Sequence, residues 1–246
     1  MRYAIISDIH SNIDALKIFF EVIKYKRINK VICLGDLVGY NPNPNECVRL
    51  LSRLKSFEVI RGNHDRTVID GSYHNFTQNA RIAIKWTIDE LKSENMEYLK
   101  TLPAGPLLID DDFYIAHGSL HHEDRYILSH HQAMDEVKWL IQRKVRLSFF
   151  GHTHYQIAYR YDDQSDTLTV IDDKVLTLDP ECYYVINPGA LGQPRDNDPR
   201  AAFAIYDSEK QTVEINRFDY PIEKVQRKIF ANNLPEFLAQ RLELGR

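Results

Sequence analysis

The stretch Val31-Ile32-Cys33-Leu34-Gly35-Asp36 reads as a short buried strand that runs out on a glycine and hands one carboxylate to a loop. Four other stretches deliver metal-ligand side chains in the same manner: Ser7-Asp8-Ile9-His10, Gly62-Asn63-His64-Asp65, Ala116-His117-Gly118 and Gly151-His152-Thr153-His154. Most of them follow their own apolar run of β-forming residues. A carboxylate central to so many imidazoles, each at a strand's end, suggests a bridge between two cations.

Outward from this stretch, Tyr3 to Ser7 is the preceding strand, and Asn12 can cap a helix that carries Leu16, Phe19, Phe20 and Ile23 on one face. With Lys30 to Leu34 this makes a βαβ unit, whose right-handed crossover leaves Asp8 and Asp36 on one edge of the sheet. Gly39 to Asn45 holds two prolines and three asparagines, so it is no helix interior. A helix resumes over Glu46 to Leu54, and Phe57 to Ile60 is the third strand. The βαβαβ pattern predicts a doubly wound arrangement, with ligands beyond the carboxyl ends of the strands.

Asn79 to Leu102 reads as one or two amphipathic helices. Leu107 to Ile109 and Phe113 to Ala116 flank the acidic turn Asp110-Asp111-Asp112 and predict a hairpin that ends at His117. His131 to Arg143 has helical periodicity, and Leu147 to Phe150 is the strand before Gly151. From Ile157 to Phe218 short β-rich runs alternate with turns, which predicts a second, mostly antiparallel sheet packed on the first. Pro221 to Asn232 and Pro235 to Leu244 read as helices opened by proline. The change of texture near residue 155 marks a new layer, so residues 1–246 are expected to form a single domain with C-terminal helices from about 221.

Length and composition agree with a soluble globular protein: 246 residues, 43% hydrophobic and 27% charged. The net charge of -4 argues against a large basic face for stable nucleic-acid binding, although a local basic pocket for one phosphate is compatible with it. Cys33, Cys47 and Cys182 form neither a disulfide framework nor a zinc-knuckle spacing. With no signal-peptide pattern and no run near the ~20 apolar residues of a membrane span, the expected location is cytoplasmic and no membrane partner is expected. Whether the chain forms a homo-oligomer is open at this level.

Seven side chains can be assigned as metal ligands: Asp8, His10, Asp36, Asn63, His117, His152 and His154. Mixed imidazole and oxygen donors suit Mn²⁺, Fe, Zn²⁺ or Ni²⁺ better than Mg²⁺ or Ca²⁺. Two metals ~3.5 to 4 Å apart need a bridging carboxylate and can hold a hydroxide between them; Asp36 is the natural bridge. A lone Asp-x-His after a strand is usually just a turn, and Gly-His-x-His alone decides little. All five stretches together, in this order, are hard to explain as turns.

In series, Asp-x-His, Gly-Asp, Gly-Asn-His-Asp, His-Gly and Gly-His-x-His resemble the calcineurin-like metallophosphoesterase superfamily. The run Asn187-Pro-Gly-Ala-Leu-Gly-Gln-Pro-Arg195 resembles its bacterial and archaeal phosphodiesterase-like branch. The resemblance implies an α/β fold, a four-layer α/β/β/α sandwich of two mixed sheets flanked by helices. It implies that Asp8, His10, Asp36 and His154 bind one metal and that Asp36, Asn63, His117 and His152 bind the other. Two divalent transition metal ions, Mn²⁺ foremost, would be the cofactors. His64, protonated, would be the general acid in hydrolysis of a small phosphoester, a phosphodiester or nucleotide first, by a hydroxide held between the cations.

The chain departs from protein Ser/Thr phosphatases, which carry Gly-Asp-x-x-Asp-Arg-Gly. Here the run is Gly35-Asp36-Leu37-Val38-Gly39-Tyr40-Asn41, without the carboxylate that would orient the histidine or the arginine that would hold phosphate. Phosphate-binding charge must then come from Arg66, Arg195 or Arg200, whose plainer reading is a surface salt bridge. His74, His121, His122, His130 and His131 read as solvated, with His121 and His122 close enough to His117 to merit attention. The alternatives are a phosphomonoesterase or protein phosphatase of the same superfamily, or a scaffold that keeps the fold and binds a partner without catalysis.

Overall fold

The computed structural model describes residues 1–73 and 76–246. Its strands are β1 (Arg2–Ile6), β2 (Lys30–Cys33), β3 (Phe57–Val59), β4 (Leu107–Ile109), β5 (Phe113–Ala116), β6 (Leu147–Phe150), β7 (Gln156–Asp162), β8 (Thr167–Ile171), β9 (Val175–Thr177), β10 (Cys182–Pro188), β11 (Ala201–Asp207) and β12 (Thr212–Phe218). Its helices are α1 (Ile13–Ile23), α2 (Pro44–Leu51), α3 (Asn63–Asp70), α4 (Gln78–Glu90), α5 (Ser93–Lys100), α6 (His130–Arg143), α7 (Ile222–Ala231) and α8 (Glu236–Leu244). Asn12 caps α1 as expected, its side chain accepting from Ala15 N.

Two six-stranded sheets are formed, ordered β3-β2-β1-β11-β12-β9 and β4-β5-β6-β10-β7-β8. Within the first, β1, β2 and β3 are parallel and β11, β12 and β9 antiparallel. In the second, β5, β6 and β10 are parallel neighbours, whereas β4, β7 and β8 pair antiparallel. Both sheets are therefore mixed, and the C-terminal strands do not form a sheet of their own as the texture after residue 155 suggests. Instead β9, β11 and β12 complete the first sheet, while β7, β8 and β10 join the hairpin and β6. Strand pairing across such separations is a tertiary choice that local alternation cannot encode.

Three buried clusters define the layers. Leu16, Phe19, Val48, Ile84, Phe203 and Leu238 lie between the first sheet and helices α1, α2, α4, α7 and α8. Tyr3, Ile5, Ile32, Phe113, Phe149, Ile186 and Tyr206 fill the space between the sheets. Val137, Leu140, Phe150, Tyr159 and Val185 join α6 to the outer face of the second sheet. The order is α/β/β/α. The doubly wound expectation is corrected accordingly, because one face of the first sheet meets the other sheet instead of helices. Phe113 anchors the inter-sheet layer, with ring centroids 5.2 Å from Tyr3, 5.5 Å from Phe149 and 5.3 Å from Tyr206. Burying each such ring is worth about 1.5–3 kcal/mol.

Helix α2 starts at Pro44, two residues before the expected Glu46, since proline at the first turn gives up an N–H that has no partner in any case. Asn79 to Leu102, expected to form one or two helices, forms two, α4 and α5, and the hairpin is β4-β5. Pro221 and Pro235 stand at the cap positions just before α7 and α8. The parallel strands of both sheets turn their carboxyl ends to a common edge, where every one of the five ligand-bearing stretches emerges.

Candidate metal centre

Asp8 and His10 follow β1, Asp36 follows β2, Asn63 and His64 open α3 after β3, His117 follows β5, and His152 and His154 follow β6. The loops are tied by main-chain bonds, Asp8 N donating to Gly35 O at 3.1 Å, His10 N to Asp36 O at 2.9 Å and Gly151 N to His117 O at 2.7 Å. All seven side chains expected to be ligands meet here, each buried. Ligand atoms of Asp8, His10, Asp36 and His154 lie within 4.8 Å of one another, and so do those of Asp36, His117 and His152. Asn63 joins the second group through Oδ1, 2.9 Å from His117 Nε2. Asp36 is common to both groups.

Each aspartate divides its oxygens between two tasks. Asp8 Oδ2 accepts from His152 N at 3.1 Å, which couples the two sheets, and Asp36 Oδ1 accepts from His64 N at 2.8 Å. Asp8 Oδ1 and Asp36 Oδ2 are buried with no hydrogen-bond donor. Those two oxygens face the imidazoles: Asp8 Oδ1 lies 3.2 Å from His154 Nε2, and Asp36 Oδ2 lies 3.5 Å from His10 Nε2 and 3.4 Å from His117 Nε2.

The tautomers follow from the other ring nitrogens. His10 Nδ1 lies 3.0 Å from Val38 O, His117 Nδ1 2.8 Å from Leu34 O and His154 Nδ1 2.6 Å from Gln193 O. A carbonyl only accepts, so each Nδ1 carries a proton and Nε2 is left as the ligating atom. In His152 the roles are exchanged, for its Nε2 meets Asp124 O at 3.2 Å and Nδ1 is freed. Burial pushes the pKa of His10 well below its ordinary value, that of His154 down, and that of His152 to about 3. For His117 burial works the same way, but the neighbouring Asp36 outweighs it and the ring is raised to about 10. Carboxylate oxygens without a hydrogen-bond partner beside Nε2 atoms that become ligands once deprotonated are a donor set that a divalent cation completes, so the residues fit such an ion.

The backbone is strained where it matters. Asp8, His10, Asp36, His152 and His154 all have φ between 45° and 63°. Left-handed conformations of non-glycine residues cost about 1–3 kcal/mol each and persist where the surroundings over-determine them. Close approach adds a further constraint, since a Cβ on Gly62 would stand 2.1 Å from Asp36 Oδ1. Asp65 accepts from Gly62 N at 2.9 Å and Val38 N at 3.2 Å, pinning the loop after Asp36 to the start of α3; burial and Asp36 raise its carboxyl to about 7.

His64 is 3% exposed, packed against His10, Tyr40 and Phe76 with centroids 4.5 to 4.9 Å away. Its Nδ1 is enclosed without a partner, in line with the missing orienting carboxylate. Burial, the largest influence on the ring, takes it down to about 4, while Asp36 pulls the other way.

Beside the centre lies a cleft of about 600 Å³, lined by Tyr40, His64, Arg66, Tyr126, Arg195 and Arg241 among others. Arg195 faces it, whereas Arg66 is held by Glu123 and by Asp124 at 2.8 Å. Arg200 does not line it and forms a bidentate pair with Asp198, at 2.6 and 3.0 Å. His121, His122, His130 and His131 are exposed and outside the centre, and His74 lies outside the described residues. Sequence reasoning missed Arg241 and the aromatic residues of the cleft, which no local pattern marks. Asn187 opens a run singled out in the sequence, but its role was not: Nδ2 donates to Gly151 O and Thr153 Oγ1, both at 2.9 Å, and so shapes the His152 loop.

A two-sheet sandwich with a shared aspartate between two Asp/His groups defines a class of metal-binding α/β hydrolases. The chain belongs to the calcineurin-like phosphoesterase superfamily, whose domain model matches residues 1–211. It is 38% identical over 249 residues to an uncharacterised protein of Methanocaldococcus jannaschii, covering 99% of this chain and 98% of that one. Its structure is similar to that of a metallophosphoesterase from Sphaerobacter thermophilus, with a TM-score of 0.86, 37% identity and coverage of 100% and 99% of the two chains. A hypothetical protein of Pyrococcus horikoshii shares the fold, with a TM-score of 0.80, 21% identity and coverage of 100% and 98%. Family and cluster together point to divalent metal ions and to phosphoric ester hydrolysis. No helix among the described residues is long and apolar enough to cross a membrane.

Proposed function

We propose that the chain is a dinuclear metal-dependent phosphoesterase that hydrolyses small phosphodiesters, nucleotides among them. The observation that carries this reading is the pair of buried oxygens, Asp8 Oδ1 and Asp36 Oδ2, which face the Nε2 atoms of His154, His10 and His117 while the Nδ1 atoms of those rings are taken up by backbone carbonyls. Asp8, His10, Asp36 and His154 would hold one ion, and Asp36, Asn63, His117 and His152 the other. Bound there, two divalent ions would lower the pKa of water and withdraw charge from the phosphoryl oxygens.

The chain's own groups then orient and protonate. Arg195 offers its fork to phosphoryl oxygens at the cleft wall. His64 meets the substrate through Nε2, since Nδ1 is enclosed. Its neutral ring donates a hydrogen bond to the leaving oxygen, and the negative charge of a bound phosphoester favours the protonated form that completes the transfer. The preference for diesters is supported by the absence at Val38 to Asn41 of the carboxylate and arginine found in protein phosphatases.

The test removes metal by chelation and restores Mn²⁺, Ni²⁺, Zn²⁺ or Fe²⁺ singly, comparing an aryl phosphodiester with an aryl phosphomonoester. Hydrolysis of the diester in at least one metal form is expected. Preference for the monoester would overturn the diester assignment, and silence on both substrates in every form would overturn the enzyme reading.

A further inference from the structure

Of the three arginines that line the cleft, Arg195 and Arg241 have no carboxylate side chain in ion-pair contact among the described residues. Arg66 is different, being neutralised by Glu123 and Asp124. Arg195 Nη2 donates to the neutral Gln193 Oε1 at 2.9 Å, and its Nε is buried without a partner. Arg241 uses only Nε, which donates to the main-chain oxygen of Arg246, so both of its η nitrogens remain for a ligand.

Arg195 stands near enough to depress His64 and His154, and its guanidinium lies 5.5 Å from the centroid of Tyr40. Arg241 shares the cleft with Arg195, Tyr40 and Tyr126 and feels the charge of Arg195. Burial and the like charge of Arg195 push Arg241 down to about 10. Two half-buried cations side by side are costly unless an anion joins them. Aromatic faces lie in the same cleft: Tyr126, 42% exposed and stacked on His152 at 4.0 Å, and Phe237, 52% exposed, 5.4 Å from the Arg241 guanidinium.

Arg241 and Phe237 belong to α8, beyond residue 211 where the superfamily domain match ends. Helix α8 is seated by Leu238, Ala239 and Leu242 in the helical layer, and the adjoining Gly245 O accepts from Asn197 N at 2.9 Å, next to the Arg195 loop. The position of Arg241 is therefore built into the packing and is not an accident of a free terminus.

We propose that Arg241 and Arg195 form a subsite for a second phosphate of the substrate, with the cleft's aromatic residues receiving a planar ring. The substrate class is then a nucleoside-type compound with at least two linked phosphates. This deepens the phosphoesterase reading and rests on it. In the reaction, water adds its oxygen to phosphorus, the P–O bond to the leaving group breaks, and the leaving oxygen takes the proton.

The test measures binding of AMP and of α,β-methylene-ADP, which resists hydrolysis, to the metal-free protein by calorimetry. A second phosphate held by a charged fork is expected to give about a tenfold or greater preference for the methylene-ADP. Arg241→Gln should bring the ratio near one and Arg241→Lys, which keeps charge but loses the fork, should leave it in between; melting temperatures verify that each variant is folded. No preference in the wild type, or full preference in Arg241→Gln, overturns the subsite. Failure of the phosphoesterase reading itself would show separately, as absence of aryl phosphodiester hydrolysis by the metal-loaded wild type.

Discussion

His10 Nε2 and His154 Nε2 stand 3.1 Å apart, and each ring gives its only proton to a backbone carbonyl. Two lone pairs are thereby aimed at each other in a buried site, with pKa values depressed so that no shared proton relieves them. Asp8 Oδ1, 3.2 Å from His154 Nε2, adds a negative oxygen to the same spot. Such an arrangement is stable when a cation lies among the three atoms.

Asp36→Asn should damage both halves of the centre. Oδ1 holds the His64 amide, so the amide oxygen would keep that bond and the NH₂ group would take the place of Oδ2, facing the ions. Expected are fewer than two tightly bound metals by elemental analysis and a rate loss on the order of 10²-fold or more. Normal stoichiometry and turnover would show that the bridge is wrongly drawn.

His64→Ala should retain both metals but lose about 10² to 10⁴ in kcat. Gly39→Ala approaches the same residue indirectly: φ is +95° there, and a Cβ would stand 2.5 Å from His64 Nδ1. Strain of about 1–3 kcal/mol should lower the melting temperature by several degrees and reduce kcat as well. In the double variant the two kcat losses should not add.

Metal loading should release a proton. His117 is raised to about 10 by Asp36, whose pull exceeds the opposing effect of burial, so the metal-free ring is charged at neutral pH and must lose that proton to ligate. Apparent affinity should rise with pH up to about 10, as competition from the proton declines. Calorimetry of metal binding in buffers of different ionisation enthalpy reads the released proton directly; the same heat in all buffers would contradict the assignment.

Arg66 is expected to act through His152 and not through substrate. It fixes Asp124, whose carbonyl orients His152, so Arg66→Ala should weaken metal binding roughly 10- to 100-fold. Metal titrations and KM separate the two roles, since a direct substrate contact would raise KM at saturating metal.

The C-terminal helices are fastened by Asp14 of α1, which meets Lys224 at 2.8 Å and Lys228 of α7. Burial alone would raise this carboxyl, but the lysine bonds outweigh it and the folded pKa is lowered. Its contribution to stability is present above the unfolded value of about 3.9 and is lost as pH falls through the folded value. Thermal melts between about pH 6 and pH 3 should fall less steeply for Asp14→Asn than for wild type.

The cluster of candidate ligands was legible in the sequence because its members sit in short motifs after apolar strands: Asp8 and His10 after Ile6, Asp36 after Leu34, His152 and His154 after Phe150. Parallel crossovers have one hand, so the motif-bearing strand ends converge within each sheet, β1 to β3 in the first and β5 and β6 in the second, and the packing of the sheets joins the two sets. Local signals also placed the Asn12 cap, the β4-β5 hairpin and the two terminal helices. What only the tertiary structure decided depends on partners distant along the chain: the membership of β11 and β12 in the first sheet, the left-handed backbone of five residues of the cluster, and the burial of His64. The same holds for the arginines. Arg200 turns to Asp198 two residues away, while Arg241, unmarked by any motif, reaches the cleft because α8 packs where it does. Motif spacing encodes chemistry that a strand end presents by itself, whereas charge compensation and burial belong to the assembled fold.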